Sequence, residues 1–179
     1  MSETTGVVVV TYNRADLLER MLAGLGALDP APELVVVVDN ASTDHTPDVL
    51  AACTLPGLQA VRTPENLGGA GGFHLGTRTA YDAGVDRIWL MDDDVLPAPD
   101  CLGVLLATDE DCLMAVREDS QGRLCEKAAT RFDLRNPLAI KPKSRMVETD
   151  WGSRDAMPER VELTRVKRAA EAARGGRRG

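Results

Sequence analysis

Two runs of four valines constrain the fold of this 179-residue chain more than any other feature. One run follows Gly6 and covers 7–10, and the other follows Leu34 and covers 35–38. β-Branched side chains favour strands, and a strand that is apolar at every position must be covered on both faces. Such strands occur almost entirely in parallel sheets enclosed by helices. The sequence therefore predicts an α/β fold with a mostly parallel central sheet.

Helical and strand patterns alternate along the first two thirds of the chain. In a predicted helix over 14–28, capped by Asn13, apolar residues recur at helical spacing. Further helices are predicted over 46–52, 73–83 and 100–107, and further strands over 58–62, 87–91 and 112–116. Ser42, Thr43 or Asp44 is expected to cap the second helix. This alternation predicts helices on both faces of the sheet.

Charge and composition exclude several classes of protein. Hydrophobic residues make up 44% and charged residues 27% of the chain, as in ordinary globular domains, and the net charge is −7. The acidic body argues against a nucleic acid partner, although the last twenty residues are basic. No apolar run is long enough to cross a membrane, and no basic leader precedes an apolar segment. We therefore expect a cytoplasmic protein, with peripheral contact at the inner face of the plasma membrane and homo-oligomerisation left open. The four cysteines lack C-x-x-C spacing and are expected to be buried and reduced.

Three consecutive carboxylates, Asp92, Asp93 and Asp94, directly follow the apolar run 88–91. Like charges at the end of a buried strand repel each other, which makes the charged forms costly. A hard divalent cation with oxygen ligands, Mn²⁺ or Mg²⁺, removes that cost. The pattern therefore predicts a metal site that also holds a phosphate, with a solvated acidic turn as the alternative.

Polar side chains also follow three other predicted strands, and ligands of parallel sheets collect at such carboxyl ends. Tyr12 offers a ring for stacking on a base, and Arg14 can offset phosphate charge. Asp39 can accept hydrogen bonds from a base N–H or a ribose hydroxyl. The glycines between 68 and 72, in a loop before the third helix, would let the backbone approach a ligand closely. Neither a Rossmann G-x-G-x-x-G register nor a P-loop Gly-Lys-Ser/Thr is present.

Four motifs in this order resemble the family 2 inverting glycosyltransferases, which have the GT-A fold. They are Val-Val-Val-Thr-Tyr-Asn-Arg at 8–14, Val-Val-Asp-Asn-Ala-Ser-Thr-Asp at 37–44, Asn-Leu-Gly-Gly-Ala-Gly-Gly-Phe at 66–73 and Met-Asp-Asp-Asp at 91–94. The resemblance covers about residues 6–116 and is greatest to the galactofuranosyltransferase and rhamnosyltransferase branch of cell-surface polysaccharide synthesis. It implies an α/β/α sandwich that binds a UDP- or dTDP-linked sugar and transfers it to a glycan or lipid-linked acceptor.

The resemblance also implies roles for individual residues. Thr11, Tyr12 and Asp39 would hold the nucleobase, and Arg14 and Asn66 would lie near the ribose and diphosphate. The backbone of the glycine run would line the donor sugar pocket, at Gly68, Gly69, Gly71 and Gly72. Asp92 and Asp94 would bind Mn²⁺ or Mg²⁺ as the outer acids of a D-x-D motif. Asp93 would contact the ribose or share the metal.

The family pattern is not followed after residue 116. The family places its catalytic base and a metal-binding histidine after the D-x-D motif, but both histidines, His45 and His74, precede it here. The candidates for the base are Asp150 and Asp155, which flank Trp151-Gly152-Ser153. We therefore expect a donor-binding domain over 1–130 and, over 131–179, an irregular remnant of a truncated or replaced acceptor region with a basic tail.

Three other functions fit parts of the sequence. A nucleotide-sugar-binding module without turnover would keep the same site and lack the acceptor half. A haloacid dehalogenase-like phosphatase would use Asp92 as nucleophile and Asp94 as acid, but that motif should end the first strand of its fold. A Rossmann oxidoreductase is disfavoured by the glycine spacing.

Overall fold

The computed structural model describes residues 3–108 and the single positions 113, 115 and 121. The described elements belong to one compact unit, Met1–Leu113. In chain order they are β1 (Thr5–Thr11), α1 (Ala15–Gly26), β2 (Leu34–Asp39), α2 (Thr46–Ala52), β3 (Leu58–Arg62), α3 (Gly68–Asp82), β4 (Arg87–Asp92) and α4 (Cys101–Leu106). This alternation of strands and helices confirms the predicted α/β class.

The four described strands form one parallel sheet in the order β3-β2-β1-β4. The two valine strands are its central pair, with Val7 beside Val35 and Val10 beside Val38. All the valines of these runs are fully buried except Val10, which is half-buried. Because every connection is a parallel crossover, the carboxyl ends of all four strands lie at the same edge of the sheet.

Side chains that alternate along the valine strands divide the core into two layers. Val7 and Val35 belong to the layer that holds the apolar residues of α1 with Leu50 of α2 and Leu102 of α4. Val8 and Val36 belong to the opposite layer, with Ala80 of α3. Burying a valine side chain contributes roughly 1.5–3 kcal/mol. Helices on both faces therefore explain why the runs are apolar at every position, as predicted.

Helix α3 begins at Gly68, five residues before the predicted start at residue 73, so the prediction of a glycine loop there was wrong. Glycine disfavours helices by about 1 kcal/mol relative to alanine, which is why the run was assigned to a loop. Close packing on the sheet overrides that preference. A Cβ atom on Gly72 would lie 2.5 Å from Cγ1 of Val10, and one on Gly76 would lie 2.4 Å from Cγ1 of Val8. The glycines thus let α3 lie directly against β1.

The predicted cap of α1 was also wrong. Arg14, not Asn13, occupies the N-cap position, and its own side chain makes no capping hydrogen bond. Asn13 has a φ of 53° and lies outside the helix, in the left-handed region that asparagine tolerates better than most residues. At α2, His45 occupies the N-cap position, but Asp44, one of the predicted caps, accepts a hydrogen bond from the N–H of Thr46, the first residue of the helix. Both helix starts are instead supported by the side chain of Asp44, as described below.

Several predictions fall wholly or largely outside the described residues. These are the strand over 112–116, the domain boundary at 130, and the candidate bases Asp150 and Asp155. Of the four cysteines, Cys53 and Cys101 are described; both are half-buried, so they are less buried than expected. Within the described residues, no helix combines the length and apolar character that a membrane span requires.

Candidate functional site

Polar residues at the carboxyl ends of β1 and β4 meet around one cavity of about 310 Å³. The strand register places Thr11 beside Asp39 and Val10 beside Asp92, so these ends are level with one another. The lining residues are Val10, Thr11, Tyr12, Arg14, Asn40, Asn66, Gly68, Gly69, Phe73, Asp92 and Asp93. This volume is at the lower end of the range that small-molecule sites occupy. Eight predicted site residues therefore share one cavity.

The other four predicted site residues within 3–108 lie close in sequence to the lining residues but do not line this cavity. Asp39 is buried beneath the edge of the sheet, and Asp94 lies one residue beyond the lining. Gly72 packs on Val10, and Gly71 packs on Leu67, the residue just before α3. The cavity thus separates the glycine run into two parts. Gly68 and Gly69 face open space, whereas the following glycines serve packing.

The three consecutive carboxylates differ sharply in environment. Asp93 is only 3% exposed and accepts hydrogen bonds from Thr11 Oγ1 at 2.7 Å and from Arg14 Nη1 at 2.9 Å. Asp92 and Asp94 are both exposed. Because successive residues at a strand end point in different directions, burying the middle carboxylate leaves its two neighbours towards solvent. The buried aspartate is thereby a structural anchor between β1 and β4.

Arg14 is the cation of this cluster. Its Nη1 donates both to Asp93 and, at 3.3 Å, to Asp94, and half of its side chain is exposed. The hydrogen bond and charge of Asp93 raise the pKa of Arg14 above its ordinary value; desolvation opposes this, and the nearby Asp94 adds weaker contributions that raise it. The guanidinium therefore remains charged at any physiological pH.

Asp92 and Asp94 are the predicted ligands of a divalent cation, Mn²⁺ or Mg²⁺. Among residues 3–108, no three His, Cys, Asp or Glu side chains come together as a metal-binding group. Mg²⁺ is usually held by one or two carboxylates together with substrate phosphates, not by an all-protein cage. Asp92 lines the cavity and Asp94 lies two residues further on; both carboxylates are exposed and are the hard oxygen ligands that this arrangement needs. The donor set therefore suits a metal that arrives with a phosphorylated ligand.

Asp39 is bound within the protein on both of its carboxylate oxygens. One oxygen accepts from the backbone N–H of Ser42 at 2.8 Å, and the other is paired with Nη1 of Arg62. Arg62 also donates through Nη2 to the carbonyl of Ser42 at 2.7 Å. This buried carboxylate joins the end of β3 to the loop after β2. Sequence reasoning identified Asp39 but missed Arg62, whose position at the end of β3 was the available signal.

Asn40 holds the loop that leads into α3, and sequence reasoning assigned it no role. It is 2% exposed, and its Nδ2 donates to Asn66 Oδ1 at 2.8 Å and to the carbonyl of Gly68 at 3.1 Å. Its Oδ1 accepts from the backbone N–H of Leu67 at 2.9 Å. A buried amide with partners on both ends fixes where α3 begins. Asn66 is therefore oriented by Asn40 as it faces the cavity.

Asn13 and Asp44 connect the loops after β1 and β2. Oδ1 of Asn13 accepts from the backbone N–H of Thr43 at 2.7 Å. The carboxylate of Asp44 accepts from the N–H of Ala15 at 3.2 Å and that of Thr46 at 3.0 Å, the first residues of α1 and α2. Desolvation raises the pKa of Asp44, but these hydrogen bonds outweigh it and lower the pKa below its ordinary value. The carboxylate of Asp44 thus accepts hydrogen bonds from backbone N–H groups at the starts of both α1 and α2.

A second and larger groove, of about 420 Å³, lies between α1 and α2. Leu22, Val49, Cys53 and Leu55 are among its lining residues, and Glu19 is the charged one. None of the predicted site residues within 3–108 lines it. Convergent polar groups, not volume, identify a functional site, so the smaller cavity at the strand ends is the candidate.

Comparison with known proteins finds a matching family and similar sequences. The family model described as "Glycosyl transferase family 2" matches residues 6–124. Galactofuranosyltransferase GlfT1 of Mycolicibacterium smegmatis is 32% identical over 153 residues, which cover 85% of this chain and 50% of that protein. A second relative, N-acetylglucosaminyl-diphospho-decaprenol L-rhamnosyltransferase of Mycobacterium tuberculosis, is 40% identical over 68 residues, covering 38% of this chain and 22% of its own. The chain spans about half the length of its galactofuranosyltransferase relatives.

Two solved structures have a similar fold. Mannosyltransferase PcManGT from Pyrobaculum calidifontis, in complex with GDP-Man and Mn²⁺, has a TM-score of 0.53 and 30% identity, covering 62% of this chain and 34% of its own. TarS 1–349 of S. aureus has a TM-score of 0.51 and 26% identity, covering 58% of this chain and 31% of its own. These likenesses and the parallel sheet confirm the predicted GT-A architecture.

Proposed function

Because the chain belongs to glycosyl transferase family 2, we propose that it binds a nucleotide-diphospho-sugar in the cavity at the strand ends. The full activity would be transfer of the sugar, with inversion, to a glycan or lipid-linked acceptor of cell-wall or polysaccharide synthesis. One observation carries the proposal. The carboxyl ends of β1 and β4 and the start of α3 bring an exposed aromatic ring, an arginine, two open glycines and carboxylates around one cavity.

Each part of the donor has a suitable group in this cavity. The ring of Tyr12 is 44% exposed and can stack on the base, which would be uracil or thymine. Arg14 carries a permanent positive charge for the diphosphate. Gly68 and Gly69 have open space beside their Cα atoms, so a sugar or phosphate can approach the backbone at the positive end of α3. The predicted roles of Thr11 and Asp39 become supporting ones, since both bind other protein groups.

The proposed chemistry divides between a metal and the protein. When bound to Asp92 and Asp94, Mn²⁺ or Mg²⁺ would supply Lewis-acid stabilisation of the charge on the departing nucleoside diphosphate. The protein's own groups would orient the donor: Arg14 at the diphosphate, Tyr12 at the base and Asn66 near the ribose and diphosphate. Deprotonation of the acceptor hydroxyl needs a base, for which Asp150 and Asp155 stay the predicted candidates.

The alternatives make distinguishable predictions. A binding module without turnover would hold the same donor but release no sugar to any acceptor. A haloacid dehalogenase-like phosphatase would need its nucleophile at the end of the first strand, whereas Asp92 ends the fourth described strand, β4. The family match and this strand order both favour the transferase over the phosphatase.

Calorimetric titration of UDP into four proteins would test the proposal. These are the wild type, Asp92→Asn, Asp94→Asn and the control Asp82→Asn, which removes an exposed carboxylate at the far end of α3. We expect Mn²⁺-dependent binding for the wild type and the control, and at least tenfold weaker binding for the two site variants. Equal metal-dependent binding by all four proteins would refute the assignment of Asp92 and Asp94.

A further inference from the structure

Arg14 lies where it competes for one of the two proposed metal ligands. Its Nη1 is shared between the buried carboxylate of Asp93, at 2.9 Å, and the exposed carboxylate of Asp94, at 3.3 Å. The contact with Asp93 is shorter, and that carboxylate is buried. The contact with Asp94 is longer, and that carboxylate is half-exposed. The bond to Asp93 is therefore the stronger of the two, and the bond to Asp94 is the one that a ligand would break first.

The rest of the guanidinium is available to a ligand. Among the described residues, the side-chain hydrogen bonds of Arg14 all come from Nη1, and the two N–H groups of Nη2 and the one of Nε have no partner in that part of the chain. The residue also lines the cavity. A guanidinium held at one corner by a carboxylate can present its opposite edge to a phosphate.

From this arrangement we propose that Arg14 is a resident counter-cation that occupies Asp94 until the donor and its metal arrive. Binding of the donor draws the free edge of Arg14 to the diphosphate and releases Asp94 to the divalent cation, while Asp93 keeps hold of Nη1. The inference rests on the proposed function, because it needs Asp94 as a metal ligand. It adds that Arg14 opposes binding of the metal to the donor-free protein.

Loss of the positive charge of Arg14 should change the affinities for Mn²⁺ and for UDP in opposite directions. Removing the positive charge should strengthen binding of Mn²⁺ to the donor-free chain, because a unit charge a few ångströms from a divalent cation repels it. The same change should weaken binding of UDP in the presence of Mn²⁺, because a phosphate contact is lost. A variant that simply damages the fold would weaken both.

The test measures binding of Mn²⁺ to the chain without nucleotide, by the loss of the electron paramagnetic resonance signal of the free ion. Arg14→Gln should bind Mn²⁺ at least roughly threefold more tightly than the wild type at low salt. It should also bind UDP with Mn²⁺ at least roughly tenfold more weakly. The control Arg78→Gln breaks an exposed ion pair with Asp82 ten residues along α3 and should change neither affinity.

A second comparison covers the case in which Arg14→Gln leaves Asp93 charged without its cation and the protein unfolds. Arg14→Gln in an Asp93→Asn background removes both charges of the buried pair, and this double variant should bind Mn²⁺ more tightly than Asp93→Asn. Unchanged or weaker binding of Mn²⁺ on loss of Arg14, or unchanged binding of UDP, would overturn the inference. If Asp94→Asn binds Mn²⁺ as well as the wild type does, the proposed metal site itself fails.

Discussion

Substituting Gly76 by alanine should destabilise the protein, although alanine is the better helix former. Gly76 is buried in the middle of α3, and a Cβ atom there would lie 2.4 Å from Cγ1 of Val8 and 3.1 Å from Cγ2 of Val38. Optimal carbon–carbon contacts are about 3.5–4.0 Å, so the nearer contact is short by roughly 1 Å. Both valines are fully buried and β-branched, so neither can rotate away at little cost.

The magnitude follows from two opposing effects. Replacing glycine by alanine inside a helix is favourable by about 1 kcal/mol. Forcing an extra methyl group into a packed core costs about 1–3 kcal/mol, and an overlap of this size places the cost at the upper end. We therefore expect Gly76→Ala to lower the free energy of unfolding by about 1–2 kcal/mol. Urea denaturation followed by circular dichroism would measure it.

Gly69→Ala provides the matched control on the same helix. Gly69 has no atom within 4 Å of the position that its Cβ would occupy, and it does not have a positive φ. The same substitution there should raise the free energy of unfolding by up to roughly 1 kcal/mol. The free energy of unfolding should therefore fall for Gly76→Ala and rise for Gly69→Ala. Stabilisation by both substitutions would show that α3 does not lie as close to β1 and β2 as described.

Three further predictions concern the network around the cavity. Asn40→Ala should lower the free energy of unfolding by about 2–4 kcal/mol in urea denaturation, because it leaves partners at Leu67 and Gly68 unpaired; a loss below 1 kcal/mol would contradict its assigned role. Thr11→Val, nearly the same in shape, should cost about 1.5–3 kcal/mol by removing the hydroxyl donor to Asp93, and a neutral effect would refute that contact. Asp44→Asn should be less stable than the wild type at pH 7. Because the folded-state pKa of Asp44 lies below its ordinary value of 3.8, the difference in the free energy of unfolding between the two proteins should be lost as the pH falls through the folded-state pKa. A difference that stays constant between pH 7 and 2 would contradict this role of the Asp44 carboxylate.

The central sheet could be predicted from the sequence because its signal is local and redundant. Four consecutive β-branched residues leave few alternatives to a strand that is buried on both faces. The order of polar strand ends also predicted that Thr11, Tyr12, Arg14, Asn66 and Asp92 would meet at one edge, and they do. For α2 and β3, the predicted residue ranges match the observed ones.

Long-range packing decided what the sequence pattern could not predict. Nothing near Gly72 in sequence indicates that Val10 lies against it, so helix propensity alone assigned the glycine run to a loop. Asparagine is a typical helix-capping residue. The side chain of Asn13, however, accepts a hydrogen bond from the loop after β2, and Arg14 occupies the cap position. The burial of Asp93 between two exposed carboxylates likewise depends on partners about eighty residues away in the chain.

We propose that a nucleotide diphosphate and its metal bind at the carboxyl ends of β1 and β4. Paramagnetic broadening of backbone amide signals by Mn²⁺ in the presence of UDP, compared with Mg²⁺ and UDP, would locate the metal in the wild-type chain. We expect selective loss of the signals of Tyr12, Gly69 and Asp93, while those of Ala52 and Cys53 in the groove between α1 and α2 remain. Broadening centred on that groove, or none that depends on UDP, would contradict it.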